Sequence, residues 1–251
     1  MKLSQVQKIT LSGLLLALTI ILTRVTPLQN FPLIPWVRIS LGPSLIIFSS
    51  ILLGPIYGAI VGAGSDILGI VLFPNSLGYG INPLFTLVYG LLGVLPWLLY
   101  FLVKRLQVRF LEIGLVGGAS ILVFLALVYF IFFSPTIAAN YSFELWHKIL
   151  IVSIAFVLLI STIILLFVIE RYYKKKYGEL SSPFKVAFVC LVSEVLLMLL
   201  LNSFVKTFTF GVNFWIIFFA QAIVFFIDVP LNTFVVEGLL LLTYRIKNRR
   251  T

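Results

Sequence analysis

Gly54, Gly58, Gly62 and Asp66 follow one another at intervals of four in the stretch GPIYGAIVGAGSDILGIVLFP. On a helix that spacing puts all four on one stripe. Small residues there let a second helix approach closely, so a carboxylate on the same stripe faces protein rather than lipid. Left unpaired in a membrane, that charge costs at least ~2.5 kcal/mol, so Asp66 needs a cation or a wet cavity. Arg38 is the candidate cation. If the chain folds back at Gly54-Pro55, the two residues differ in height by roughly 7 Å, within reach of an arginine side chain. The pair reads as a salt bridge fixing a helical hairpin or as the polar wall of a ligand cavity, and the two readings are compatible.

Other polar residues in apolar surroundings extend the same chemistry. Asn202 and Gln221 could line that cavity or serve as hydrogen-bonding glue between helices. Glu194 and Asp228 sit near mid-membrane depth, as structural pairing groups or as a proton relay. Phe85 and Tyr89 could stack on a planar heterocycle, the plain alternative being an interfacial aromatic belt. Asn75 and Tyr79 fall in PNSLGYGINP, a loop whose composition suits a structured lid over a ligand. All of this is non-covalent recognition. No G-x-x-x-x-G-K-[ST], H-E-x-x-H or G-x-S-x-G pattern occurs, so no catalytic residue is expected. The single cysteine, Cys190, excludes an intramolecular disulfide and a multi-cysteine metal site. Neither metal nor cofactor is called for.

The elements that must position these residues are set by composition. The 251 residues are 61% hydrophobic and 10% charged, with a mean hydropathy of +1.18. A soluble domain is about half apolar and a quarter charged. The expected fold is therefore an all-α, polytopic transmembrane helical bundle forming one integral membrane domain, 1–251. Eight apolar segments are legible, at 9–26, 39–53, 55–73, 84–104, 111–134, 146–169, 184–205 and 213–244. Met1 to Leu22 resembles a signal peptide, but Thr23-Arg24 stands where a small-residue cleavage site would, and a retained first helix is expected. Pro230 is expected to kink the last helix.

With both termini in the cytoplasm, fourteen of the eighteen Lys and Arg residues fall on the cytoplasmic side. Only Arg24, Arg38, Lys148 and Lys206 fall outside. That bias supports the span count and the orientation together, and it explains the net charge of +10 without nucleic acid as a partner. ERYYKKKYGEL reads as an ordinary cytoplasmic loop.

Three stretches carry a family resemblance: RISLG, then LLGPIYGAIVGAGSDILGIVLFP, then GINPLFTL. In order and spacing they resemble the folate-family substrate-binding (S) component of energy-coupling factor (ECF) vitamin transporters. LSGLLLAL, with Gly13 and Ala17, resembles that family's small-residue stripe, and LLNSF resembles a stretch of its fifth helix. The resemblance implies a six-helix core at 1–105 and 184–251, with 106–183 an inserted transmembrane hairpin of two extra helices. It implies an outward-facing vitamin site, high affinity, and no ATPase activity in the chain itself. The implied partners are a transmembrane coupling subunit, docking on Gly13 and Ala17, and two ATP-binding-cassette ATPases. The resemblance implies folate or a related heterocyclic micronutrient as the ligand; where the family often has an arginine opening its last helix, this chain offers Gln221, and the lost cation weakens the case for an anionic substrate such as folate. The expected site comprises Arg38, Asp66, Asn75, Tyr79, Phe85, Tyr89, Asn202 and Gln221. The alternative is a stand-alone secondary transporter coupled to protons through Glu194 and Asp228.

Overall fold

In the computed structural model, residues 4–24, 40–73, 80–104, 109–133, 144–178 and 181–248 are described. They form an all-α helical bundle: α1 Gln5–Arg24, α2 Gly42–Leu53, α3 Pro55–Leu72, α4 Pro83–Lys104, α5 Arg109–Phe133, α6 Leu145–Tyr177, α7 Pro183–Ser193, a π-helical segment Glu194–Leu201, α8 Asn202–Phe210 and α9 Phe214–Asn248. Among the described residues, six stretches are long and apolar enough to cross a membrane, counting α7 through α8 as one; α2 and part of α5 are shorter apolar helices. The molecule is a multi-pass membrane protein.

Two apolar cores share a central spine. The first joins α1–α4 to α7, the π-helical segment, α8 and α9 around Ile46, Val61, Leu92 and Val189. The second joins α5 and α6 to α7 and α9 around Leu127, Leu166, Leu191 and Phe226. The α5–α6 pair thus packs on a flank of the spine formed by α7 and α9.

Glycine sets the tightest contact. A Cβ on Gly58 would overlap the Gly93 carbonyl, and one on Gly62 would overlap the Tyr89 carbonyl. The α3 and α4 backbones therefore touch directly, and only glycine fits. Gly54 does a different job from the one its spacing suggests. It takes φ +99 at the turn between α2 and α3 and opens on empty space.

One expectation is corrected here, and a second element shows how proline is accommodated. ERYYKKKY is not loop: α6 runs on to Tyr177, eight residues beyond the apolar segment. Its residues are good helix formers, Glu170 pairs with Lys174 one turn on at 2.6 Å, and Gly178 at φ +62 supplies the stop. At Pro230, α9 continues as helix. The missing N–H leaves the Phe226 carbonyl without its intrahelical donor, and the Thr162 hydroxyl on α6 donates to it at 2.6 Å. A neighbouring helix thus satisfies the freed group, which is how a membrane helix tolerates proline.

Candidate functional site

At one end of the bundle the helices part around a cavity of about 590 Å³, within the ~300–1,000 Å³ usual for small-molecule sites. The same end of each antiparallel helix contributes: Thr23 and Arg24 close α1, Pro43 opens α2, Ser65, Asp66 and Ile70 lie late in α3, and Pro83, Phe85 and Tyr89 lie early in α4. The facing wall is Glu194, Met198 and Leu199 of the π-helical segment, Asn202, Lys206 and Thr209 of α8, and Gln221, Val224 and Asp228 of α9.

Five of the eight expected site residues line this one cavity: Asp66, Phe85, Tyr89, Asn202 and Gln221. Arg38, Asn75 and Tyr79 lie outside the described residues. Asp66 is 6% exposed, and it is held as its stripe predicted. Thr86 donates to Oδ2 at 2.8 Å, and a guanidinium stands 3.7 Å from Oδ1. That guanidinium belongs to Arg24, which reaches the site from the end of α1; the expected partner, Arg38, lies outside the described residues.

Two further polar groups close the facing wall. In the Gln221 amide orientation that suits every neighbour, its oxygen accepts from Lys206 Nζ at 2.6 Å and its nitrogen reaches Ser203 Oγ at 2.8 Å and the Met198 carbonyl. Asn82 Nδ2 donates to Thr209 at 2.9 Å, tying the start of α4 to the end of α8. Its Oδ1 accepts from the Leu84 N–H, so the same side chain caps α4. Phe85 stacks on Phe210 with ring centroids 6.0 Å apart, an aromatic pair at the cavity wall.

Deeper in the bundle lie Glu194 and Asp228, both nearly sealed from solvent. Glu194 accepts from Asn232 Nδ2 at 2.7 Å, and Asn232 Oδ1 accepts in turn from Ser44 on α2. Asp228 Oδ1 has no hydrogen-bond partner. Both acids were legible as intramembrane charges, but not as cavity residues, because the sequence does not show the helix facing them. Arg24, Asn82, Lys206 and Thr209 were missed. Their signal was faint, each being a polar residue near the end of an apolar run.

Fold and site together define a multi-pass membrane protein with a solute-sized polar cavity at one end. The family model of the ECF transporter substrate-specific component matches residues 7–171, well over half of the chain, and the protein belongs to that family. Among curated proteins, the folate transporter FolT of Clostridium novyi (strain NT) is 31% identical over 104 residues, which is 41% of this chain and 56% of that protein. The matched part thus spans little more than half the length of that relative. No solved structure matches the chain.

Proposed function

We propose that this protein is the high-affinity membrane substrate-binding subunit of a vitamin uptake system, taking folate or a related heterocyclic micronutrient. It delivers its substrate with a transmembrane coupling subunit and two ATP-binding-cassette ATPases. The observation that carries the reading is the preformed 590 Å³ cavity, walled by aromatics and polar groups, in a chain of the ECF substrate-specific family. The likeness to a folate transporter supports the ligand class. Asp66, Phe85, Tyr89, Asn202 and Gln221 form the site within the described residues, and Arg38, Asn75 and Tyr79 are its remaining members. Both termini are cytoplasmic and the cavity faces outward, in line with the distribution of Lys and Arg. The family core is 1–105 and 184–251, and α5–α6, within 106–183, is an added hairpin on its flank.

Gly13 and Ala17 form the docking face. Both are exposed on α1, and nothing lies within 4 Å of a Cβ built on Gly13. A flat small-residue face of this kind accepts a partner helix closely.

Purified chain in nanodiscs is titrated with folic acid, pterin, thiamine, riboflavin and biotin, with tryptophan fluorescence and calorimetry as readouts. One of these is expected to bind at submicromolar concentration. The same chain in liposomes is expected to accumulate that compound only when the coupling subunit, the ATPases and ATP are supplied. Accumulation by the chain alone under a proton gradient would establish the secondary transporter instead.

A further inference from the structure

Among the described residues, three of the acids line the cavity: Asp66, Glu194 and Asp228. They are not equally satisfied. Asp66 has Arg24 and Thr86. Glu194, 3% exposed, is fixed on one oxygen by the relay from Ser44 through Asn232. Asp228, 9% exposed, lines the cavity, and its sealed Oδ1 has no hydrogen-bond partner. A buried polar atom without a partner is costly, and a carboxylate oxygen more so. Asp228 and Asn232 are one turn apart on α9, so the anchored acid and the open one are presented from one face. Glu194 and Asp228 both line the cavity, so the two carboxylates belong to one local site.

The cavity is polarised along its length. Lys206 follows Glu194 by twelve residues and Gln221 precedes Asp228 by seven, which places the Lys206–Gln221 contact on the order of 10–15 Å nearer the helix ends. Cationic and amide groups stand near the mouth, and two carboxylates stand at depth.

We propose that Glu194 and Asp228 form a donor-reading subsite for the heterocyclic end of the substrate, taking a ring with two adjacent N–H donors such as the 2-amino-azine edge of a pterin. A carboxylate held ionised by bound donors only accepts hydrogen bonds, and paired N–H donors match its two oxygens. Such a ring brings donors to the cavity side of the Asp228 carboxylate. The Phe85–Phe210 pair and Tyr89 in the cavity wall offer the ring faces to stack against. The proposal rests on the vitamin-binding reading above and adds to it the orientation and chemical class of the ligand.

The test compares two rings on the full-length chain in nanodiscs: pterin, and lumazine, which carries a carbonyl where pterin has its 2-amino group. Pterin should bind wild type about 10- to 150-fold more tightly, the range of hydrogen bonds to a charged group. Asp228→Asn keeps the side-chain shape, and its amide can donate to the lumazine carbonyl, so the preference should shrink or invert. Glu194→Gln should reduce it less. A purely structural acid would weaken both rings together and leave their ratio fixed. Equal binding of the two rings to wild type, or a ratio unchanged in Asp228→Asn, overturns the subsite while vitamin binding stands. If Asp228→Asn does not fold, the wild-type ratio and Glu194→Gln decide. Failure of wild type to bind folic acid, pterin or thiamine also overturns the subsite. In that case riboflavin or biotin binding would keep the vitamin reading, and binding of none of the five would end both.

Discussion

Replacing Arg24 by alanine isolates the interaction that orders one wall of the cavity. In a fully buried pair, loss of one partner costs about 3–5 kcal/mol, because the other charge is left uncompensated. The structure argues for less. The Arg24–Asp66 separation is 3.7 Å, Thr86 still donates to the carboxylate, and the pair borders a cavity that can hold water. A cost of about 1.5–3 kcal/mol follows, or a fall in melting temperature of roughly 4–10 °C for a chain of this size. Asp66→Asn removes the charge that Arg24 compensates. The double variant Arg24→Ala/Asp66→Asn should therefore be at least about 1 kcal/mol more stable than the two single losses summed. Thermal unfolding of the four proteins in one detergent, followed by intrinsic fluorescence, measures that coupling. A parallel cycle with Arg38→Ala decides between the two arginines. Additive losses for Arg24 and Asp66, with coupling between Arg38 and Asp66, would refute the assignment of Arg24 as the partner.

Three more expectations follow from the packing and the exposed faces. Gly62→Val should destabilise by at least about 2 kcal/mol or abolish folding, since its side chain meets the Tyr89 backbone, whereas Gly90→Ala, 3.7 Å from the Ala63 Cβ, should stay within about 0.5 kcal/mol by thermal unfolding. Thr162→Val should cost about 1–2 kcal/mol by orphaning the Phe226 carbonyl, and adding Pro230→Ala should recover part of that, because the restored N–H takes the carbonyl back; no recovery would sink this account. Gly13→Leu with Ala17→Leu should leave ligand binding intact by calorimetry and abolish ATP-driven uptake in liposomes containing the full set of partners. Equal loss of both activities would count against a docking role for that face.

Helix placement was legible because a membrane permits little else. Hydropathy located all eight segments, and the observed ends differ mostly by a few residues, since Pro55, Pro83 and Pro183 mark helix starts in the sequence itself. The exception, the end of α6, was hidden because its last turns are charged, and hydropathy measures burial in lipid rather than helix formation. The glycine stripe was readable for the same reason that it works: only close backbone packing explains such spacing. What could not be read was the rotation of each helix about its axis. Asp66 announced that it needed a cation, but nothing in the sequence shows that the end of α1, and Arg24 with it, packs beside α3. The π-helical segment at Glu194–Leu201 left no compositional mark, since EVLLMLLL is as good a sequence for an α-helix.

The way each buried acid is satisfied separates architecture from chemistry. Glu170 pairs with Lys174, and Glu237 accepts the Ser182 N–H at 2.9 Å where α7 begins, at the end of that helix away from the cavity. Both are closed contacts that a ligand could only disrupt. Asp66 is nearly closed, held from two sides while bordering the cavity, which suits a group that shapes a wall. Glu194 is half closed, with one oxygen fixed by a relay that begins on a different helix. Asp228 alone of these keeps a fully buried oxygen without a partner. Intramembrane carboxylates are costly, and one without a closed set of partners marks a functional position by default. This order therefore ranks the acids by functional weight: substitution by the matching amide should disturb ligand selectivity most at Asp228, less at Glu194, still less at Asp66 and not at Glu237. Ratios of pterin to lumazine affinity across the four amide variants measure the ranking directly, and a selectivity change at Glu237 as large as that at Asp228 would show that hydrogen-bond closure is no guide to function in this bundle.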